Sequence, residues 1–380
     1  MAQNEETTAA NAATNPAAST RKAEASLLLA SSPHIGSPVV TQVLMRNVLI
    51  ALAPVTIFGI VLFGLPALLT VLVSVVSAIA GESLFRLITK QPVRVADLSA
   101  GVTGLLLALV LPPSTPLWMT ALGAIFAIIV AKEFFGGLGA NVFNPALVGR
   151  AFMLMSFPAA ITTWHRPPVG FVTSLADHLN ASSIVDGVSG VTPLNIIKMG
   201  GTVADVGQEF FAAGQSASGD YWSTIMNLFI GSHGGCIGES STFLILAGLI
   251  YLLVTKTIDW RAPLAMIAAG FLASLIFSGF DLPFSLFSIL SGGLLFGAVF
   301  MATDYVSTPV TAKGKVIFGF GAGLITILIR NWGSYPEGVM YGILIMNGVT
   351  PFLNRLLPKK YGFVAKKKAA AKPVAQGAVK

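Results

Sequence analysis

Apolar residues dominate the chain in blocks, several of them near the roughly 20 residues that a helix needs to cross a bilayer. Short connections holding Gly, Pro and charged residues separate the blocks. The first set falls near 46–64, 67–88, 98–111, 117–132 and 142–157, the second near 243–255, 263–280, 285–302, 316–329 and 338–357. Several blocks are short for a straight lipid-facing rod, which predicts helices that are broken or buried inside a bundle. The pattern predicts an all-α polytopic membrane protein of about ten transmembrane helices. Residues 1–25 read as a disordered tail, 26–157 as a first membrane unit, 158–240 as a long polar loop, 241–357 as a second membrane unit and 358–380 as a basic tail.

Composition agrees with the pattern. Only 10% of residues are charged and 54% are hydrophobic, against about 25% charged in soluble domains. So few charges cannot cover a water-facing surface, and the lipid bilayer is the expected surrounding. The net charge of +7 does not point to nucleic acid, because seven lysines lie beyond Leu357 with no acid among them. That tail suits an anionic lipid surface. Arg21 and Lys22 come too late, and no small-residue cleavage site follows, for the N-terminus to read as a signal peptide. A single cysteine excludes an internal disulfide, and no Cys/His spacing suggests a metal.

Basic residues also give an orientation. Arg46 leads into the first block, Arg86, Lys90 and Arg94 follow the second, and Lys256, Arg261, Lys313 and Lys315 lie in alternate connections further on. The long loop carries Arg166 and Lys198 against six acids, among them Asp177, Asp186 and Glu239. Both termini are expected in the cytoplasm and the long loop outside. The two sets also echo one another: "LSAGVTGLLLALVLPP" begins at Leu98 and "LSGGLLFGAVFMATD" at Leu290, each in the third block of its set. Five spans per unit is an odd number, so two such repeats must be inverted. Inverted repeats place sites near the midplane, at discontinuous helices.

The loop holds "DGVSGVT", with Asp186, Ser189, Gly190 and Thr192 in close order. Gly187 and Gly190 let the backbone turn and be approached closely, presenting the threonine hydroxyl. By spacing alone this is equally a polar turn. The pattern Asp-x-x-Ser-Gly-x-Thr nevertheless resembles the flavinylation motif of membrane flavoproteins. In that motif a flavin transferase joins FMN through its phosphate to the threonine. "SSPHIGS" from Ser31, "KEFFGGLGANVFNPALVGRAF" from Lys132, "GGCIGESS" from Gly234 and "FMATDYVSTPVTAKGK" from Phe300 extend the likeness over nearly the whole membrane region. The chain is similar to the RnfD/NqrB family. Its members are the D subunit of the Rnf ion-translocating electron-transport complex and the related B subunit of the sodium-pumping NADH:quinone oxidoreductase. Val191 stands where that family usually has alanine, and Asp186, Ser189 and Thr192 are in place.

The resemblance implies two inverted five-helix repeats in the bacterial inner membrane, an outward loop with covalent FMN on Thr192, and a second, noncovalent flavin (riboflavin). It implies partner subunits within an Rnf-type complex that couples ferredoxin:NAD oxidoreduction to movement of Na⁺ or H⁺. A flavin passes electrons singly or in pairs, and a phosphoester tether keeps it from diffusing away on the outer face. No NAD fingerprint or iron–sulfur cysteine set is present, which assigns those steps to partners. The alternative from architecture alone is an inverted-repeat solute channel or secondary transporter without a flavin.

Other positions carry two readings each. Asn141 and Asn144 are polar near membrane depth and suit a ligand or ion path, while capping the fifth helix is the plainer role for one of them. Gly238 and Glu239 lie in the Gly-rich "GGCIGES", where an acid is also favoured by the dipole of the following helix. Asp304 follows an apolar block, as a flavin or cation ligand or as an acid reaching the interface. Gly136, Gly137 and Gly139 make either a re-entrant turn or a tight connection. Cys236 reads as a small buried residue, and none of the four histidines is assigned chemistry.

Overall fold

A computed structural model describes residues 40–92, 95–162, 164–165, 189–190, 193–201, 203, 206, 221–231, 234–333 and 335–356. The first membrane unit contains α1 (Thr41–Phe63), α2 (Leu65–Ile88), α3 (Ser99–Leu109), α4 (Leu117–Ile129) and α5 (Pro145–Ser156). Described parts of the long loop are α6 (Pro158–Thr162), β1 (Trp164–His165), β2 (Ser189–Gly190), α7 (Pro193–Lys198) and α8 (Tyr221–Ile230). The two short strands pair antiparallel, Trp164 opposite Gly190. The second unit contains α9 (Thr242–Val254), α10 (Arg261–Phe277), α11 (Leu282–Leu290), α12 (Leu294–Met301), α13 (Ala312–Trp332) and α14 (Val339–Leu353).

The helices α1, α2 and α13, and α4 continued through a 3₁₀ turn to Phe135, are long and apolar enough to cross a membrane. α11 and α12 pass the same test together but are bent by 62° at their break. α3, α5, α9, α10 and α14 are apolar and shorter. This is a polytopic helical membrane protein, with exposed Leu, Ile, Val, Phe and Trp side chains on its outer faces. The block expected as one helix over 285–302 is thus a broken pair. The third helix of the first unit is also short, entered through Leu98 in a left-handed conformation at φ 62°.

Small residues bring the helices together, because in lipid close backbone approach replaces the hydrophobic effect as the source of attraction. α13 lies along α10 with Gly319 and Gly323 in the seam. A Cβ on either would collide with the backbone carbonyl of Ala262 or Met266. The corresponding pair in the first unit is α2 with α4, and α3 packs on α2 through Gly104, whose Cβ would lie 2.8 Å from the Val75 Cα. The segment Gly234–Ser241 threads between units. Its Ile237 N–H donates to the Leu111 carbonyl at 3.2 Å, and a Cβ on Gly238 would lie 2.7 Å from that of Leu109.

Each break needs its backbone groups satisfied, since no water is available in the hydrocarbon. Arg330, near the end of α13, donates to the carbonyls of Ser288 and Ser291 at the C-terminal end of α11. Glu337 accepts the Gly293 N–H at the start of α12. Gly292, at φ 72°, makes the turn between them. At the start of α3, the Asp97 carboxylate accepts from the Ser99 N–H (2.9 Å) and Oγ (2.7 Å).

Gly323→Ala is expected to destabilise the chain by about 1–3 kcal/mol through overpacking, read as a lower unfolding temperature in detergent. Gly101→Ala, where an added Cβ meets nothing within 4 Å, is expected to be neutral or stabilising by up to about 1 kcal/mol. Equal effects of the two would contradict the packing described for α13.

Candidate functional site

Two cavities whose apolar linings include charged and polar side chains lie at opposite ends of α5 and of α12. Leu154 of α5 lines the first and Pro145 lines the second. At 1.5 Å per residue those positions are roughly 14 Å apart along the axis.

The first cavity, about 110 Å³, is lined by Arg150, Glu239, Glu337, Tyr335, Pro193 and Leu194 among others. Arg150 donates to Glu337 Oε2 at 2.9 Å and lies 3.7 Å from Cys236 Sγ. Glu239 Oε1 accepts the Cys236 N–H at 2.7 Å, whereas its buried Oε2 has no hydrogen-bond partner among the described residues. Sulfur and carboxylate oxygens of Cys236, Glu239 and Glu337 lie within 4.8 Å of one another. The guanidinium of Arg150 already supplies the positive charge between two of them. Pro193 and Leu194, which line this cavity, are the two residues that follow Thr192 in sequence.

The second cavity, about 70 Å³, is lined by Ser99, Thr103, Lys132, Asn141, Asn144, Asp304 and Tyr305 over an apolar floor that includes Leu106 and Phe300. The Asn144 side-chain oxygen caps α5, accepting from Ala146 N (3.0 Å) and Leu147 N (3.4 Å). Its amide nitrogen donates to the Met301 carbonyl at 3.3 Å. Asn144 therefore joins the two units through both ends of its amide. Asn141 differs: its nitrogen donates to the Phe143 carbonyl at 3.1 Å, and its buried oxygen has no donor among the described residues. In the loop beyond α12, burial pushes the Asp304 carboxyl above the usual carboxylate range. Ser307 Oγ at 2.7 Å, two backbone N–H groups and the Asn141 side chain favour its ionised form.

A smaller cavity of about 10 Å³ is lined by Leu109, Leu147, Phe296, Met301 and Val339 and shares Arg150 and Glu239 with the first. That is about the room for one water. Those five apolar side chains are each at most 3% exposed.

Of the residues singled out in the sequence, Glu239 lines the first cavity, and Asn144, Asn141 and Asp304 line the second. Gly238 packs on Leu109 and Phe296. Ser189 and Gly190 form β2; Asp186 and Thr192 lie outside the described residues. Cys236 is buried at 2% exposure. Sequence reasoning passed over Arg150, Arg330 and Glu337, and over Lys132 with its buried partner Glu82. For Arg150, Lys132 and Glu82 the available signal was the charge itself inside an apolar run, which marks function or pairing by default, whereas Arg330 and Glu337 lie in the connection between two runs.

The description "NQR2, RnfD, RnfE family" belongs to a family model that matches residues 28–362. The chain is 39% identical over 338 residues to the D subunit of the proton-translocating ferredoxin:NAD(+) oxidoreductase complex of Clostridium ljungdahlii, covering 88% of this chain and 96% of that one. It is 40% identical over 352 residues to the D subunit of the Na(+)-translocating ferredoxin:NAD(+) oxidoreductase complex of Acetobacterium woodii, covering 92% and 99%. The D subunit of the ion-translocating oxidoreductase complex of Stutzerimonas stutzeri is 38% identical over 336 residues, covering 84% and 91%. Matched along its whole apolar length, the chain belongs to the NQR2, RnfD, RnfE family.

Proposed function

We propose that this chain is the D subunit of an Rnf-type ion-translocating oxidoreductase, carrying electrons between two flavins set toward opposite membrane faces. The complex would couple ferredoxin:NAD oxidoreduction to cation movement, as the names of its relatives state for them. Those names differ in the cation, so membership does not carry the cation's identity. FMN on Thr192, attached by a flavin transferase, is the outer group. The observation that carries this reading is the first cavity, lined by the two residues after Thr192 together with Arg150 and the unpartnered Glu239 oxygen. Tyr335, Leu154, Ile161 and Met340 offer an aromatic and apolar wall for a planar ring, as ligand sites generally do.

The second cavity suits a noncovalent flavin such as riboflavin. Such a ring brings an imide N–H and carbonyl oxygens, and the cavity supplies an unpartnered Asn141 oxygen and the Lys132 ammonium. When bound, a flavin supplies one- and two-electron redox chemistry; the chain holds the ring, excludes water and sets its electrostatic surroundings. In this reading about ten helices form two inverted sets in the bacterial inner membrane, termini inside and long loop outside. Pairing of α2 with α4 and of α10 with α13, the second and fourth members of each set, supports it. So does the appearance of both Leu-Ser pairs, Leu98–Ser99 and Leu290–Ser291, at helix breaks. The tight burial of Leu109, Leu147, Phe296, Met301 and Val339, each at most 3% exposed, argues against an open solute pore.

Two substitutions test the flavin assignments. Wild-type chain from a host with the transferase is expected to fluoresce in denaturing gels and to gain the mass of one FMN. Thr192→Ala is expected to lose both, and a dark, unmodified wild-type band would remove the assignment. Asp304→Asn is expected to retain several-fold less acid-releasable flavin than wild type; unchanged retention and unchanged ion pumping would exclude Asp304 from the second site.

A further inference from the structure

The first unit contains a cluster of four buried charges that the proposed electron path does not use. Lys132 is 1% exposed, and its ammonium donates to Glu82 Oε2 at 2.9 Å and to Ser99 Oγ at 2.7 Å. Glu82 also pairs with Arg86 at 3.2 Å, and Arg86 pairs with Glu133 at 3.2 Å. Two acids and two bases balance, which is the condition for keeping charge at this depth. Balance alone does not explain where Lys132 stands. It lines the second cavity, while Glu82, Arg86 and Glu133 do not.

An ammonium has three N–H donors. Two are spent on Glu82 and Ser99, and among the described residues no third acceptor is present. A buried donor left without an acceptor is unfavourable, so a ligand with an electronegative edge would be drawn to it. The floor beside it is apolar, with Leu106, Leu252 and Phe300, and the only other charged side chain in the lining is Asp304. Coulomb attraction is strong in such surroundings.

We propose that Lys132 is the cationic contact for the electronegative edge of the ring in the second cavity, and that Glu82 sets its strength. This rests on the second-flavin reading. Adding two electrons and one proton to a neutral flavin leaves the reduced ring with one negative charge. The ammonium stabilises that form over the oxidised one, and the Glu82 carboxylate opposes it. Removing the cation and removing its counter-ion must therefore shift the ring in opposite directions. A packing defect would not divide the two by sign.

The test is a spectroelectrochemical titration of the full chain in detergent, on a Thr192→Ala background so that only releasable flavin contributes, with its amount measured after acid precipitation. Lys132→Gln is expected to lower the preference for reduced over oxidised flavin at least tenfold, roughly 30 mV for a two-electron couple. Lys132→Arg is expected to stay within about threefold of wild type, and Glu82→Gln to shift the potential upward. No shift in Lys132→Gln, an equal shift in Lys132→Arg, or a downward shift in Glu82→Gln would overturn the role of Lys132. Should Lys132→Gln not give a monodisperse chain, the sign for Glu82→Gln decides alone: upward supports the role, and none or downward overturns it. Wild-type chain that releases no flavin would overturn the second-flavin reading itself, and this inference with it.

Discussion

The interaction on which the rest depends is the capping of a helix broken inside apolar surroundings. Ending α11 at Leu290 and restarting at Leu294 frees backbone carbonyls and N–H groups where water cannot reach them. Arg330 takes the carbonyls of Ser288 and Ser291, and Glu337 takes the Gly293 N–H. A cation thus meets the negative end of one half-helix and an anion the positive end of the other, as the helix dipoles favour. Glu337 in turn holds Arg150, on α5 of the other unit. The break is stable because both units contribute to it, and the same charges line the first cavity.

The start of α3 solves a related problem with different groups. Leu98 turns the chain in a left-handed conformation, Asp97 caps the new helix, and Lys132 reaches Ser99 from beyond α4. Between the two breaks the packing is apolar and tight, with Leu109, Phe296 and Val339 almost wholly buried. One membrane body can therefore present a cavity at each end while its middle stays closed.

Much of this was legible in the chain. Each apolar block contains a helix, four of them long enough to cross a membrane or five with the bent pair, and the shortness of several blocks pointed to breaks. One of Asn141 and Asn144 read as a helix cap, and Asn144 caps α5. Asp304 at the end of an apolar block lines a cavity. The partners were not legible. Arg150 and Glu337 meet across 187 positions, and Lys132 and Glu82 across 50, distances over which spacing carries no information. The bend within 285–302 was hidden because Gly292 sits in a run whose apolar content reads as continuous. Tyr221–Ile230, a helix inside the long loop, was masked by the polar composition around it.

Placement of the two cavities toward opposite membrane faces is the central claim, and side-specific thiol labelling tests it most directly. The native Cys236 is buried, so single cysteines can be introduced at Met199, beside the first cavity's lining segment and 73% exposed, and at Val310, in the loop after Asp304 and 80% exposed. With a membrane-impermeant maleimide on intact cells, Met199→Cys is expected to label from outside, and Val310→Cys only after the membrane is opened. Labelling of both from the same side would contradict the account.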